Sequence, residues 1–249
     1  MGQRNYMSPV TQIICLANSW KHGERCIAGI EPKTGQWIRP VANGEDGRVS
    51  ANARLLNGRE PQLLDILEIP LAPNPTTRDW NCENRLILPG SWRKVGQVQP
   101  KDVLKYCSGD RNILHNTKKY VSLPFLQAQP VRQRRTLQLV QAISFSVQGI
   151  QRRSGGTQWK GNIVTNTGQR LSGASITDPV LAAKLQYGYI PQLPCLVTVS
   201  LSLPHRPPSW EGDDPCWKLI AGVIELVREP SEAMAYPVAS PRVSPRFAW

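Results

Sequence analysis

Residues 11–41, TQIICLANSWKHGERCIAGIEPKTGQWIRPV, decide the fold. Residues 11–18 (TQIICLAN) are a short apolar run with β-branched side chains, and residues 24–30 (ERCIAGI) are another. Only a polar loop around Lys21, His22 and Gly23 separates them, so both read as buried strands. Glu31-Pro32-Lys33-Thr34-Gly35 has turn chemistry, and residues 36–41 supply a third strand, which makes a meander. Alternate strand residues share a face, so Trp37, Arg39 and Val41 point one way and Gln36 and Ile38 the other. Further on, Ser50 is placed to cap a short helix through Leu56, with Gly58 to end it. Residues 63–71 (LLDILEIPL) return to strand character, and residues 85–88 are a fifth strand.

The second half repeats this order. Residues 136–148 alternate, with Leu137, Leu139, Ile143, Phe145 and Val147 on a face expected to be core and Gln138, Ser144, Ser146 and Gln148 on a wet one. Residues 158–165 and 169–176 flank Asn166-Thr167-Gly168, a hairpin turn because Asn and Gly tolerate positive φ. Thr177-Asp178-Pro179 opens a short helix that Gly188 stops. Residues 195–203 (CLVTVSLSL) and 217–227 close the set, joined by a Pro-rich loop at 204–215. Three strands, a short helix and two strands is the connectivity of the five-stranded OB barrel, and it occurs twice, without a close sequence repeat. The expected class is therefore mostly β, with two tandem OB-like five-stranded barrels, each carrying a short helix between its third and fourth strands. The divisions are a disordered N-terminus (1–10), a first barrel (11–107, with a helix at 100–106), an irregular basic connector (108–135), a second barrel (136–229) and an extended Pro-rich tail (230–249).

By this point several blocks resemble bacterial dual OB domain-containing proteins: Cys15-Leu16-Ala17-Asn18-Ser19, Arg25-Cys26-Ile27-Ala28-Gly29 and Gly35-Gln36-Trp37-Ile38-Arg39-Pro40-Val41. Similar patches follow at Leu64-Asp65-Ile66, Glu83-Asn84, Thr177-Asp178-Pro179 and Lys218-Leu219-Ile220-Ala221. The likeness covers most of residues 11–227. It implies two OB barrels and a nucleic-acid role inferred from that fold, and it carries no established activity or catalytic residues.

The length of 249 residues suits two domains, and 40% hydrophobic with 19% charged residues is a globular composition. No apolar run approaches the length that spans a bilayer, and the N-terminus lacks a secretory core, so a cytoplasmic location without membrane contact is expected. The six cysteines form no C-x-x-C pair, and Cys15, Cys26 and Cys195 read as buried free thiols. His22 and Cys26 alone are too few for zinc, and nothing calls for a metal or cofactor.

Placement of the net charge of +12 says more than its size. Between Asp110 and Asp178 there is no acidic residue, while Arg111, Lys118, Lys119, Arg132, Arg134, Arg135, Arg152, Arg153, Lys160 and Arg170 supply ten cations. Folded onto one surface they would attract a polyanion by counterion release; dispersed, they are a solvated basic face. OB barrels hold single strands by tracking phosphates with Lys and Arg and stacking bases on aromatic rings. Trp37 beside Arg39, Trp159 beside Lys160 and Trp20 beside Lys21 offer ring and cation together, although Trp in a small barrel also fills core. Arg132, Arg134 and Arg135 ahead of a strand can form a phosphate clamp.

Catalytic motifs are absent: the three histidines lie far apart, and no nucleophile elbow, P-loop or zinc pair is present. Glu211, Asp213 and Asp214 share a loop that could hold a divalent ion or simply be solvated, and Gly155-Gly156 beside Arg152-Arg153 form a flexible hairpin tip. The expectation is a non-catalytic module for single-stranded DNA or RNA. The rivals are a protein-interaction adaptor recognising a partner through the Pro-rich tail, and an enzyme acting on nucleic acid or nucleotides.

Overall fold

A computed structural model of the chain describes residues 8–44, 46–76, 80–152 and 155–226. The Pro-rich tail and residues 1–7 of the expected disordered N-terminus lie outside them.

Strands β1 (Val10–Lys21), β2 (Glu24–Ile30) and β3 (Trp37–Val41) form the meander, followed by α1 (Ala51–Arg54), β4 (Asp65–Pro75) and β5 (Asn84–Ile87). Their order β1-β2-β3-β5-β4 is closed by pairing of β1 with β4, and β3 runs parallel to β5, which is a closed five-stranded OB barrel. An unanticipated β6 (Arg93–Gln97) extends the sheet from β4. The helix α1 is a single turn, shorter than expected, and Ser50 makes no side-chain cap.

The stretch expected as an irregular connector is structured. It holds β7 (Tyr120–Ser122) and α2 (Leu123–Ala128), and β7 pairs with the last strand of the second barrel. Ile113, Leu114, Val121 and Leu126 enter that barrel's core. Its cationic composition had hidden these apolar anchors. The barrel itself comprises β8 (Leu137–Gln151), β9 (Thr157–Thr165), β10 (Arg170–Ile176), α3 (Pro179–Gln186), β11 (Cys195–Pro204) and β12 (Pro215–Glu225), closed by a parallel pairing of β10 with β12. Asp178 caps α3 as its sequence suggests, accepting from the backbone N–H of Val180 at 2.9 Å and of Leu181 at 3.1 Å. No helix among the described residues is long and apolar enough to cross a membrane.

The two barrels share a buried boundary. Ile13 and Cys15 face the first barrel's core, while Ile14 and Leu16 pack with Leu139, Leu196 and Ile224 of the second. Burial of β1 on both faces explains why residues 11–18 are an unbroken apolar run and not an alternating one. On β8 the expected faces hold from Ser144 onward, where Ser144, Ser146 and Gln148 are exposed, and fail before it, where Gln138 is buried. A bulge between Ala142 and Ser144 reverses the parity, so Val140, Ala142 and Phe145 are core, Leu137 and Leu139 meet the first barrel, and Ile143 is exposed.

Backbone approaches backbone at this boundary. Thr198 Oγ1 donates to the Leu16 carbonyl at 2.6 Å, and a Cβ on Gly222 would lie 2.5 Å from that same oxygen. Glycine is required there by the approach, since any side chain must push the barrels apart. Gly222→Ala is expected to destabilise the protein by about 1–3 kcal/mol. Urea unfolding followed by tryptophan fluorescence measures this, and an unchanged midpoint would contradict the contact.

Candidate nucleic-acid interface

Loop residues 111–119, held against the mouth of the second barrel, face the β9–β10 hairpin across a groove of about 600 Å³. Arg111, Lys119 and Arg170 line it together with Asn112, Asn116 and Gln169, and no described carboxylate does. All three cations are exposed. Gln169 Nε2 is buried without a hydrogen-bond partner behind this wall.

Lys119 joins this groove to the outer face of the sheet. Its Nζ lies 5.5 Å from the Trp217 ring, and Lys118 Nζ lies 5.6 Å from that of Tyr120. Pairing of β7 with β12 sets Tyr120 opposite Trp217, and Trp210 from the β11–β12 loop completes a cluster with ring centroids 4.8–5.7 Å apart. Trp217 Nε1 donates to the His205 carbonyl and Trp210 Nε1 to that of Asp213, each at 2.9 Å, which fixes ring orientation while leaving the π surfaces to other contacts. The acidic loop therefore orients an aromatic ring, and Asp214 pairs with Arg206 at 2.7 Å.

Lys160 on β9 donates to Ser175 Oγ of β10 at 2.7 Å. Burial, then the nearby Lys119 and Arg152, hold its ammonium below the usual lysine range. Like charges close enough to disfavour one another mark a positive cluster. Around the first barrel cations are neutralised instead: Arg54 meets Glu24 at 2.5 Å and Glu60 at 2.8 Å, Arg93 meets Glu68 at 2.5 Å, and Lys94 meets Asp65 at 2.5 Å.

The residues singled out from the sequence divide accordingly. Lys119, Arg152 and Lys160 belong to the cluster, with Arg152 exposed at the β8–β9 tip, and Lys118 stands beside Tyr120; Arg153 lies outside the described residues. Arg132 is exposed in a separate turn. Arg134 donates to the carbonyls of Gln129 and Gln127 at 2.7 and 2.9 Å, and Arg135 pairs with Asp110 at 2.5 Å, so these two are engaged within the protein and the three arginines form no open clamp. Trp159 is half-buried against the barrel core and packs over Gly149. Trp37 fills the boundary between barrels. Tyr120, Trp210 and Trp217 were missed because a three-residue strand and an irregular loop bring them together.

Arg39 is the clearest correction. Only 5% exposed, it donates to Asn81, Asn84 and Thr136 at 3.1–3.2 Å and more weakly to Ser200. The Thr136 hydroxyl in turn donates to Glu83 at 2.9 Å, so a buried cation and a buried carboxylate are bridged across the two barrels. Its partner Trp37 shares that strand face, as alternation requires, but the face is internal.

Six unpaired cysteines complete the inventory, with Cys15, Cys195 and Cys216 buried and Cys26 only partly so. Burial pushes the Cys15 and Cys195 thiols up to about 12, which leaves them protonated and unreactive. Among the described residues no three His, Cys, Asp or Glu side chains gather as metal ligands would.

Two closed OB barrels joined through a buried boundary define the chain as a double-OB protein. A profile of the dual OB-containing domain matches residues 11–223, and the chain belongs to that family. No curated protein and no solved structure matches it.

Because Arg39 sits in the boundary, Arg39→Ala should cost about 3–5 kcal/mol of stability by leaving Glu83 and two asparagines uncompensated. Oligonucleotide affinity, measured well below the lowered melting temperature, should be unchanged. A stable variant with weakened binding would return Arg39 to the ligand surface.

Proposed function

We propose that the second barrel binds single-stranded nucleic acid, DNA or RNA. Phosphates follow Arg152, Lys160 and Lys119 into the groove of Arg111 and Arg170, and unpaired bases rest against Tyr120, Trp210 and Trp217. The observation that carries this reading is the position of Lys119, which serves the cationic groove, the Trp217 ring and the Lys160 cluster at once. Strands β9 and β10 with the β8–β9 and β11–β12 loops are also the surface through which OB barrels take oligonucleotides. Six unpaired thiols, three of them buried, suit a reducing compartment such as the cytoplasm.

Anisotropy of a fluorescein-labelled oligothymidylate of about twelve nucleotides is the test. Five phosphate contacts predict log affinity falling with log salt at a slope of about −3.5, and combined Lys119→Ala, Lys160→Ala and Arg170→Ala should flatten it by about 2. Trp210→Ala should weaken binding by about 1–3 kcal/mol with little change in that slope. A flat salt response, or a triple variant that binds normally, would reject the reading.

A protein-interaction adaptor is the second reading, and one feature favours it. Val180, Tyr187 and Ile190, on and just after α3, are exposed, Tyr187 by 91%. A protein partner that stays bound through nuclease and high salt would support the adaptor. The Pro-rich tail first considered for this role lies outside the described residues.

A further inference from the structure

Lys218 is 2% exposed and among the largest fully buried side chains of the protein. On β12 it shares the inner face with Cys216 and Ile220, both in the second barrel's core. No described carboxylate pairs with it. Its Nζ donates to two atoms of one residue, the Asn116 carbonyl at 2.5 Å and Asn116 Oδ1 at 3.1 Å. Asn116 Oδ1 also accepts from the Lys118 backbone N–H at 3.0 Å, and the Lys218 N–H donates to the Lys119 carbonyl at 2.9 Å. Asn116 and Lys119 both line the groove. A buried lysine without a counter-charge thus holds, from beneath, the segment that presents the groove's cations.

We propose that Lys218 is a positioning residue of the groove whose protonation and the groove's occupancy by a phosphate reinforce one another. A neutral amine carries two donors and saturates the two acceptors of Asn116, whereas an ammonium brings a third donor and an uncompensated charge into a dry site. Burial accordingly lowers Lys218 to about 7. A phosphate on the far side of Asn116 supplies the missing negative potential and favours the ammonium. The charged form then tightens the hold on Asn116 and adds attraction for the phosphate.

The other titratable and charged groups of the surroundings are few. His115, in the turn before Asn116, is influenced by Lys218, Arg135 and Glu83, and burial holds its imidazole below the usual range. Lys119 stands at the entry to β7, and Cys216 on β12 is pushed up to about 12. The neighbouring positions of β10 and β11, Ser175 and Ser200 opposite Leu219 and Leu201 opposite Lys218, carry no charge.

The sign follows from linkage. Free protein loses the Lys218 proton as pH rises through about 7, and the complex loses it at higher pH, so binding takes up a proton in that window. Affinity therefore rises as pH falls, about tenfold for each unit by which binding raises the Lys218 titration.

This inference rests on the nucleic-acid reading, and one experiment separates them. The full chain is titrated with the same oligothymidylate by calorimetry, between about pH 6 and about pH 8.5, in buffers of different ionisation heat. Proton uptake and tighter binding at low pH are expected of the wild type and of His115→Gln, and a pH-independent affinity of Lys218→Met. Binding without proton uptake by the wild type, a reading that needs no variant to fold, overturns this inference alone, as does an unchanged pH profile in Lys218→Met. Absence of binding at every pH overturns both.

Discussion

The contact between the Leu16 carbonyl and the Thr198–Gly222 backbone region is the constraint on which the double barrel depends. It brings β1 of one barrel against β11 and β12 of the other closely enough that only glycine fits at position 222. Around it, Ile14, Leu139, Leu196 and Ile224 exclude water, which makes burial of polar groups at the same boundary costly unless they are satisfied. Arg39, Glu83, Thr136 and Ser200 meet most of that demand by bonding to one another across the boundary, with Arg39 Nε left unbonded. The barrels are consequently parts of one packed body, and β12 serves both purposes: Gly222 and Ile224 lie at the boundary, while Trp217 and Lys218 belong to the groove end of the strand.

Charge is distributed by the same logic. Around the first barrel Arg54, Arg93 and Lys94 meet carboxylates, so its surface field is largely cancelled. Around the second, Arg111, Lys119, Arg152, Lys160 and Arg170 stand on elements that bring no acid with them. Their mutual repulsion opposes folding, and it is kept modest by exposure and solvent screening. What remains is a potential that an anion relieves, on a surface where two indole N–H bonds and mutual packing hold three aromatic rings.

Much of this was legible in the residues, and the failures are instructive. Strand order and the Asp178 cap could be read because turns, apolar runs and a capping side chain ahead of Pro179 are local signals. The gathering of several cations could be anticipated from the missing acids between Asp110 and Asp178, although Arg134 and Arg135 found internal partners that lie 5–25 residues away. Arg39 was misjudged because alternation states which residues share a face and not what covers it. Gln138 and Ile143 were misplaced on β8 because a bulge between Ala142 and Ser144 breaks its alternation, and the Tyr120–Trp217 pairing depends on a strand too short to announce itself. Lys218 gave no warning, since a lysine within an apolar closing strand is ordinarily an exposed one.

The proposed binding requires that a single strand lie along the second barrel's cationic and aromatic face. Photo-crosslinking with an iodouridine-substituted oligonucleotide, followed by mass spectrometry of the peptides, addresses that surface directly. Crosslinks to Tyr120, Trp210 and Trp217 are the expected result, and crosslinks confined to Trp20 and the outer strands of the first barrel would contradict it.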